Sequence, residues 1–327
     1  MEHTRRLRMT TLLVGAAIPF SLGAGAAAPA PRPAGQPTLQ NGRIAFSTGF
    51  IQPDPDLSAH SQVFTVNPDG SDVHQLTHVP KGSQAGDPDW SPDSTQIAYV
   101  SNVPGTFSVM VMNADGSDKH LIASTPGWDY FQPRWSPDGT QFAVTRCNQA
   151  YGFCDLDLMN ADGTGRHILV ASHVLNGAAD WSPDGTQIVF DSNRAGLISA
   201  LWVVDAAGGG LRRLTRPAME AFYPQWSPLG NRILFSDNSD RPNQNVFVMN
   251  PDGMRARQLT DTPGDSNAFF ATYSPDGRRI VFLTDHHGFF LNTMNGNGTD
   301  VTPITTRPRV TYADWGSPTT STDTAAR

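Results

Sequence analysis

Short runs of alternating apolar and polar residues recur along most of the chain. Gln96 to Val100 and Val246 to Met249 are typical, because both are rich in β-branched and aromatic residues and are flanked by Gly, Pro, Asn and Asp. Runs of this kind between turn-forming residues predict β-strands. No helical period separates them, so the pattern predicts an all-β fold.

One phrase, Trp-Ser-Pro-Asp-Gly, organises these strands. It recurs with small changes and a truncated last copy; the aromatic residues that open the copies are Trp90, Trp135, Trp181, Trp226, Tyr273 and Trp315. The steps between them are 42 to 47 residues. A second phrase, Asn-x-Asp-Gly or a close variant, has a similar period in a different phase; its copies begin at Asn67, Asn113, Asn160, Asp205, Asn250 and Asn295. A period in this range with strand-like content indicates the blades of a β-propeller.

Two tight turns divide each repeat into four antiparallel strands, which we call A to D. Strand A ends at the repeated aromatic, strand B follows Ser-Pro-Asp-Gly, strand C precedes Asn-x-Asp-Gly and strand D follows it. The first unit opens with a B-type strand at Gly42 to Phe46, whereas the last stretch, Thr311 to Trp315, is an A-type strand. We therefore predict a six-bladed β-propeller over residues 41–316, in which the C-terminal strand completes blade 1 and leaves no free edge.

Loop lengths distinguish the two faces of the predicted disc. The step from an aromatic to the Ile or Phe that opens strand B is always 7 residues, whereas the step from there to the second phrase varies from 15 to 23. In a four-stranded meander the A–B and C–D turns lie at one end, the turn face, and the B–C and D–A connections at the other, the loop face. Because a rigid scaffold usually carries function on variable loops, we expect binding on the loop face.

The repeats resemble the WD40-like Pro-Asp repeats of the six-bladed propeller in TolB-family periplasmic proteins. The resemblance covers nearly all of the chain after its N-terminal segment and rests on five strong copies of the aromatic-Ser-Pro phrase. It does not extend to the α/β domain that precedes the propeller in TolB, so we expect a TolB-like propeller without that domain. Similar repeats occur in prolyl-oligopeptidase-type enzymes, but we expect no hydrolase domain here, and the sequence has no Gly-x-Ser-x-Gly phrase.

The N-terminal residues predict export. Residues 1–28 combine three early arginines with an apolar stretch that ends in small residues, as in a secretory signal peptide. Residues 29–40 contain four prolines and predict an extended linker, and residues 317–327 predict a disordered tail. We expect a secreted, periplasmic or cell-envelope protein that is not inserted in a membrane after cleavage.

The net charge limits the kinds of partner that the chain can bind, and the two cysteines predict a disulfide. The net charge is −7, and it becomes −9 when the three Arg and one Glu of the signal peptide are removed. An acidic chain without a basic cluster argues against binding of nucleic acid. Cys147 and Cys154 lie in one inter-strand connection of an exported chain, which predicts a local disulfide. We expect a monomer.

The residue before each repeated aromatic differs between blades although the scaffold repeats. These residues enter the innermost strands, where we expect some of them to line the channel mouth: Asp89, Arg134, Asp180, Gln225, Thr272 and Asp314. We expect the D–A loops to lie beside these residues and to add aromatic side chains. The ligand-binding candidates are therefore the channel residues other than Thr272, together with Trp128, Tyr130, Phe222 and Tyr223. The alternative is that the aromatic residues plug the channel or cap the blades. The six repeated aromatics are instead expected to pack between blades, because they recur at equal spacing.

We expect a non-enzymatic binding or scaffold protein that presents its loop face to a protein, peptide or glycan. The alternative is a propeller enzyme, a metal-dependent lyase or glycosidase, with Asp89, Asp180 and Asp314 at the channel mouth. Loop histidines could add ligands to such a site: His60, His78, His173, His286 and His287. Their spacing fixes no metal site, so we expect no metal, cofactor or catalytic residue. A structural spacer in the cell envelope is a third possibility.

Overall fold

The structure is a computed structural model that describes residues 41–48, 61–103, 105–171, 174–196, 198–239, 243–264, 266–285, 288–304 and 310–317. The predicted signal peptide and linker lie outside these residues, as does all of the predicted tail except Ser317. Four of the five loop histidines also lie outside: His60, His173, His286 and His287. The described part of the chain has no helix with the length and hydrophobicity that a bilayer crossing requires.

The described residues form six sheets, each of four antiparallel strands. Blade 1 contains β1 (Ile44–Thr48), β2 (Gln62–Val66), β3 (His74–Gln75) and the last strand, β24 (Val310–Trp315). Blade 2 contains β4 (Ala85–Trp90), β5 (Gln96–Ser101), β6 (Ser108–Asn113) and β7 (His120–Ala123). Blade 3 contains β8 (Trp128–Trp135), β9 (Gln141–Asn148), β10 (Cys154–Asn160) and β11 (His167–Val170).

The remaining three blades follow the same order. Blade 4 contains β12 (Asn176–Trp181), β13 (Gln187–Ser192), β14 (Ala200–Asp205) and β15 (Arg212–Arg213). Blade 5 contains β16 (Ala221–Trp226), β17 (Ile233–Asp237), β18 (Asn245–Met249) and β19 (Arg257–Gln258). Blade 6 contains β20 (Ala268–Tyr273), β21 (Arg279–Thr284), β22 (Phe290–Asn295) and β23 (Thr302–Pro303).

Each sheet has the predicted order A–B–C–D, and the A strands of neighbouring blades contact one another around the centre. The C-terminal strand β24 pairs with β1, with Trp315 opposite Ile44 and Asp314 opposite Ala45. The six-bladed all-β fold and its closure through blade 1 are therefore confirmed. Pairing of β24 also gives β1, the first described strand, a partner on its inner side, so no open edge remains there.

The repeated aromatics pack between neighbouring blades, as expected. Each of six apolar clusters joins two adjacent blades. Trp181, for example, packs with Leu156 and Leu158 of blade 3 and with Phe190 of its own blade. Trp315 lies in the cluster that joins blade 6 to blade 1. The ring of blades is thus held by six similar interfaces.

Side chains of the repeated phrase hold the A–B turns. In blade 4 the carboxylate of Asp184 accepts hydrogen bonds from the Ser182 hydroxyl (2.6 Å) and the Thr186 N–H (3.0 Å). The Ser182 oxygen accepts a bond from the N–H of Gln187 (2.9 Å), where strand B begins. Gly185 has a φ of 70°, which favours glycine. The phrase therefore makes a compact and nearly invariant turn.

Strand A bends in the same way in blades 2 to 6. Its pairing with strand B shifts shortly before the repeated aromatic, which is a β-bulge. The residue three positions before the aromatic has a φ between 35° and 53°; these residues are Asp87, Gln132, Ala178, Tyr223 and Phe270. Left-handed backbone is uncommon for residues other than glycine. The bends place Ala178, Tyr223 and Phe270 in the wall of the central channel.

Candidate functional site

The residues that precede the repeated aromatics form a ring near the turn face, which we call the acidic ring. Five of its six members line a cavity of about 300 Å³ whose walls include the repeated aromatics and the prolines of the A–B turns; these five are Asp89, Asp180, Gln225, Thr272 and Asp314. Strand A runs from the D–A loop to the A–B turn, so its last residues lie at the turn face. The expectation that these residues lie beside the D–A loops is therefore wrong.

The three aspartates of the acidic ring tie blades together. One carboxylate oxygen of each accepts a hydrogen bond from the backbone N–H of the repeated aromatic in the next blade. The bonds are Trp135 to Asp89 (2.8 Å), Trp226 to Asp180 (2.6 Å) and Trp90 to Asp314 (2.8 Å). The carboxylates therefore have a structural role in holding the propeller closed.

Arg134 is the cation of the acidic ring. It is buried, and its guanidinium donates to Oδ1 of Asp89 at 2.8 Å. Burial opposes the charge on Arg134, but Asp89, Asp180 and Asp314 together outweigh burial and raise its pKa. Arg134 therefore remains charged and is the centre on which the three carboxyls converge.

The carboxyls of the ring have raised pKa values. Burial is the main cause for Asp89, whose pKa rises to about 8; Arg134 opposes this rise and Asp314 adds to it. Burial likewise raises the pKa of Asp180 to about 7 and also raises the pKa of Asp314. Near neutral pH the ring therefore holds protons that exposed aspartates would have lost.

Three aromatic side chains fill the channel on the loop side of the acidic ring. Tyr223 and Phe270 lie with their ring centres 4.0 Å apart, and Tyr312 contacts Phe270 with ring centres 5.4 Å apart. The guanidinium of Arg134 lies 4.9 Å from the centre of the Tyr312 ring. The cavity between this aromatic plug and the acidic ring is about 10 Å³, which leaves room for about one water at most. A ligand on the loop face is thus separated from the acidic ring.

Polar groups line the remaining channel wall, and sequence reasoning missed them. The side chain of Gln132 accepts a hydrogen bond from the N–H of Ala178 at 2.8 Å. Asp191 accepts one from the N–H of Tyr223 at 3.3 Å, and burial raises the pKa of Asp191 to about 6. These bonds fix the bent strands, since each joins a bulged residue to a neighbouring blade. The sequence signal for Gln132 is its position three residues before a repeated aromatic, and Asp191, on strand B, has no such signal.

Two of the predicted aromatic residues belong to blade 3, away from the plug. Trp128 is half-buried; the Arg146 guanidinium lies 3.7 Å from its ring centre, and Phe153 meets it edge-on at 5.7 Å. Tyr130 is only 1% exposed and packs in the cluster between blades 2 and 3. Its hydroxyl lies 2.8 Å from the Thr125 hydroxyl. Tyr130 therefore cannot contact a ligand in this structure.

The nine candidate residues do not form one site. Asp89, Arg134, Asp180, Gln225 and Asp314 belong to the acidic ring. Tyr223 belongs to the aromatic plug, and half-buried Phe222 lies beside it with ring centres 6.0 Å apart. Tyr223 is half-buried, and its ring packs on Phe270 in the channel. Among the described residues, no group of three or more His, Cys, Asp and Glu side chains is arranged to hold a metal ion.

The loop face exposes apolar side chains that the sequence pattern did not predict. In the described part of the loop face they come from blades 2 to 4, and they are Val103, Tyr151, Leu175 and Ile198. Tyr151 is 80% exposed and lies in the B–C loop between Cys147 and Cys154, which form a disulfide. Two sequence signals pointed there: the cysteine pair, and a B–C connection longer than those of blades 2, 4, 5 and 6.

These features define a six-bladed β-propeller with a filled channel and one irregular face. The family model described as the TolB beta propeller domain matches residues 37–316, and the chain belongs to that family. The resemblance inferred from the repeats is thereby confirmed.

Several known proteins are similar. An uncharacterized protein of Agrobacterium fabrum is 28% identical over 202 residues, which are 59% of this chain and 67% of that protein. The Tol-Pal system protein TolB of Anaeromyxobacter dehalogenans is 30% identical over 139 residues, 41% of this chain and 30% of that protein. The chain thus covers two thirds of the first relative and less than a third of the second.

Solved structures share the fold at low sequence identity. TolB from Acinetobacter baumannii has a TM-score of 0.70 and 22% identity, covering 84% of this chain and 66% of that chain. An oligogalacturonate lyase in complex with manganese has a TM-score of 0.53 and 13% identity, covering 84% of this chain and 76% of that chain. At these identities the likeness extends to the fold alone.

Proposed function

We propose that this chain is an exported, non-enzymatic binding module that holds a protein, peptide or glycan on its loop face. The observation that carries the proposal is the set of exposed apolar side chains on blades 2 to 4: Val103, Tyr151, Leu175 and Ile198. Exposed apolar residues that gather on one surface mark interaction sites more often than scattered ones do. The TolB family, one member of which is named a Tol-Pal system protein, is consistent with a role in the cell envelope.

The chemistry of this part of the loop face supports the proposal. Four of its connections, residues 102–107, 124–127, 149–153 and 171–175, contain no Asp, Glu, Lys or Arg. Interfaces are depleted in charge at their centre and enriched in aromatic residues. The rings of Tyr223, Phe270 and Tyr312 lie in the channel, so in this proposal the partner binds on the face and does not enter the disc.

The test compares two sets of substitutions in the full chain. Leu175→Ser with Ile198→Ser changes exposed apolar residues on the loop face, whereas Leu229→Ser with Met254→Ser changes apolar residues on the turn face that are more exposed. Both proteins are screened on peptide and glycan arrays, and their melting curves are recorded. We expect the loop-face pair to lose binding and the turn-face pair to keep it, with both melting like the wild type. Binding lost only in the turn-face pair would place the site on the other face and refute the proposal.

An enzyme at the turn-side cavity is the second candidate function. Carboxyls with pKa values of about 7 and 8 in a concave site are typical of acid–base catalysis. Asp89, Asp180 and Asp314 nevertheless each accept a backbone hydrogen bond that joins two blades, so a structural role accounts for them. The enzyme would be favoured if the wild type turns over an acidic or neutral glycan and Asp89→Asn with Asp180→Asn abolishes this turnover. The melting temperature of the variant must then be retained.

A further inference from the structure

Among the described residues, the strands of blade 3 reach furthest toward the loop face. Its strands β8, β9 and β10 have 8, 8 and 7 residues, whereas the A, B and C strands of the other blades have five or six. The extra residues of β8 and β9 lie at their loop-face ends, Trp128 and Asn148. The B–C connection of blade 3, which we call the blade-3 hairpin (residues 147–154), therefore extends from the disc.

The blade-3 hairpin is closed at its base and at its tip. Cys147 and Cys154 pair directly across β9 and β10 and form a disulfide. At the tip, the Asn148 carbonyl accepts a bond from the N–H of Gly152 at 2.9 Å. The Asn148 side chain accepts another from the N–H of Tyr151 at 3.1 Å. These bonds fix the backbone on both sides of the exposed Tyr151.

Neighbouring loops also hold the hairpin. Gln149 donates from its backbone N–H to the Gly127 carbonyl and from its side chain to Asp129, each at 3.0 Å. The N–H of Cys154 donates to the Val174 carbonyl of the next D–A loop at 3.0 Å. The hairpin is therefore tied to loops on two sides.

A column of aromatic rings supports Tyr151. Tyr151 stacks on Phe153 with ring centres 6.3 Å apart, and Phe153 meets Trp128 edge-on. Trp128 in turn rests on Arg146, which donates to buried Asp157 at 2.5 Å. The column leads from a buried ion pair to a tyrosine that is 80% exposed.

We propose that the blade-3 hairpin is a protein-binding knob that inserts Tyr151 into an apolar pocket of a folded partner. A tip that projects cannot enclose a small ligand, because small-molecule sites are concave and bury most of the ligand surface. The tip from Gln149 to Phe153 has no charged residue, so it suits an uncharged pocket. A fixed tyrosine offers a large contact area at a low entropic cost and is a frequent interface hot spot. This inference rests on the proposed binding function of the loop face.

Site-specific photocrosslinking in the organism that makes the protein tests the inference. A benzoylphenylalanine replaces Tyr151 in one full-length chain and Leu229, an exposed turn-face residue, in the control. We expect a discrete crosslinked protein from position 151 and not from position 229.

The crosslinked protein is then identified by mass spectrometry, purified and titrated with the full-length chain. Tyr151→Ala should weaken its binding about 30-fold or more, as for a hot spot, without changing the melting temperature, whereas Leu229→Ala should leave binding within about 2-fold, as near-neutral positions do.

The other outcomes separate this inference from the proposed function. Leu175→Ser with Ile198→Ser could abolish binding while Tyr151→Ala leaves it within about 2-fold. That result would refute the knob but retain the proposed binding function of the loop face. Tyr151 could instead be needed for binding to a glycan array, or to vesicles of phosphatidylethanolamine and phosphatidylglycerol. Either result would refute the inference that the partner is a protein but retain a binding role for the loop face. No crosslinked protein from positions 103, 151, 175 or 198, together with no binding on the peptide and glycan arrays, would refute both. The double substitution Cys147→Ser with Cys154→Ser should weaken binding of the partner as much as Tyr151→Ala does, because the disulfide fixes the hairpin.

Discussion

The repeated aromatic shows how one side chain per blade secures the fold. Trp181 is buried between blades 3 and 4, and its indole N–H donates to the Arg134 carbonyl at 3.2 Å. The hydrogen bond crosses the same blade interface as the apolar contacts. Loss of this side chain therefore removes packing and a hydrogen bond together.

We predict that Trp181→Ala lowers the free energy of unfolding by about 3–5 kcal/mol, the usual cost of removing a buried aromatic ring. Urea denaturation of the full chain measures this change. Met254→Ala, which shortens an exposed side chain on the turn face, should change stability little. A loss below about 1 kcal/mol at Trp181 would mean that its ring is not a core residue.

The A–B turn of blade 5 is an imperfect copy of the repeated phrase. Leu229 stands where blades 2, 3, 4 and 6 have aspartate, and its apolar side chain cannot accept a hydrogen bond. The Ser227 hydroxyl donates instead to the Asn231 side chain at 3.0 Å. Leu229 itself is 62% exposed, so aspartate can replace it without leaving a cavity.

We predict that Leu229→Asp stabilises the protein by about 0.5–1 kcal/mol, as consensus substitutions commonly do. Asp184→Ala should make the opposite change of about 1 kcal/mol, because it removes an acceptor from Ser182 and Thr186. Thermal melting of both variants provides the matched comparison. A stability loss in Leu229→Asp would show that its apolar contact near Gly277 outweighs the turn hydrogen bonds.

Among the elements, β24 matters most because it closes the disc. It supplies the inner strand of blade 1, and Asp314 and Trp315 on it contact blades 2 and 6 respectively. Without it, the inner edge of β1 has unpaired backbone groups and two blade interfaces are incomplete.

We predict that deletion of residues 310–327 abolishes the cooperative melting transition of the propeller. A synthetic peptide of residues 310–317 added to the truncated chain is the control, and it should restore part of the transition by refilling the gap. Circular dichroism during heating measures both. A truncated chain that melts like the full-length protein would show that β24 is not needed for closure.

The sequence predicted the order of the strands because every blade repeats two turn phrases with strong conformational preferences. It did not predict the bulges of strand A. Their left-handed residues, Asp87, Gln132, Ala178, Tyr223 and Phe270, share no chemical type and include no glycine. Contacts between blades impose these bends, so the residue type carries no local signal for them.

At the scale of the whole molecule, residues that are distant in sequence meet around one axis. The variation between blades predicts the members of the acidic ring, but they lie at the turn face and not beside the D–A loops. The direction of strand A, which ends at the A–B turn, is enough to place these residues at the turn face. The blade-3 hairpin was predictable only in part: the cysteine pair marked it, whereas the exposure of Tyr151 depends on the length of β8 and β9.

The acidic ring should make the stability of the whole propeller depend on pH. The folded-state pKa values of Asp180 and Asp89, about 7 and 8, lie above the value of about 3.9 for an aspartate in an unfolded chain. Between these limits the folded state binds more protons at these two carboxyls than the unfolded state does, so their contribution to stability falls as pH rises. The turn aspartates Asp138 and Asp184 have lowered pKa values, through hydrogen bonds from Ser136 and Ser182, and affect stability only at more acidic pH.

We predict that the melting temperature of the wild type falls as pH rises from about 5 to about 8, the window set by the raised pKa values. Asp180→Asn should flatten this fall, because asparagine does not ionise and its side-chain oxygen can still accept the Trp226 N–H. Asp118→Asn is the matched control, since it removes an exposed carboxylate at a left-handed position that asparagine also tolerates; its profile should parallel the wild type. Differential scanning calorimetry at each pH measures all three. Parallel profiles for the wild type and Asp180→Asn would mean that Asp180 is ionised throughout this range and that Arg134 outweighs its burial.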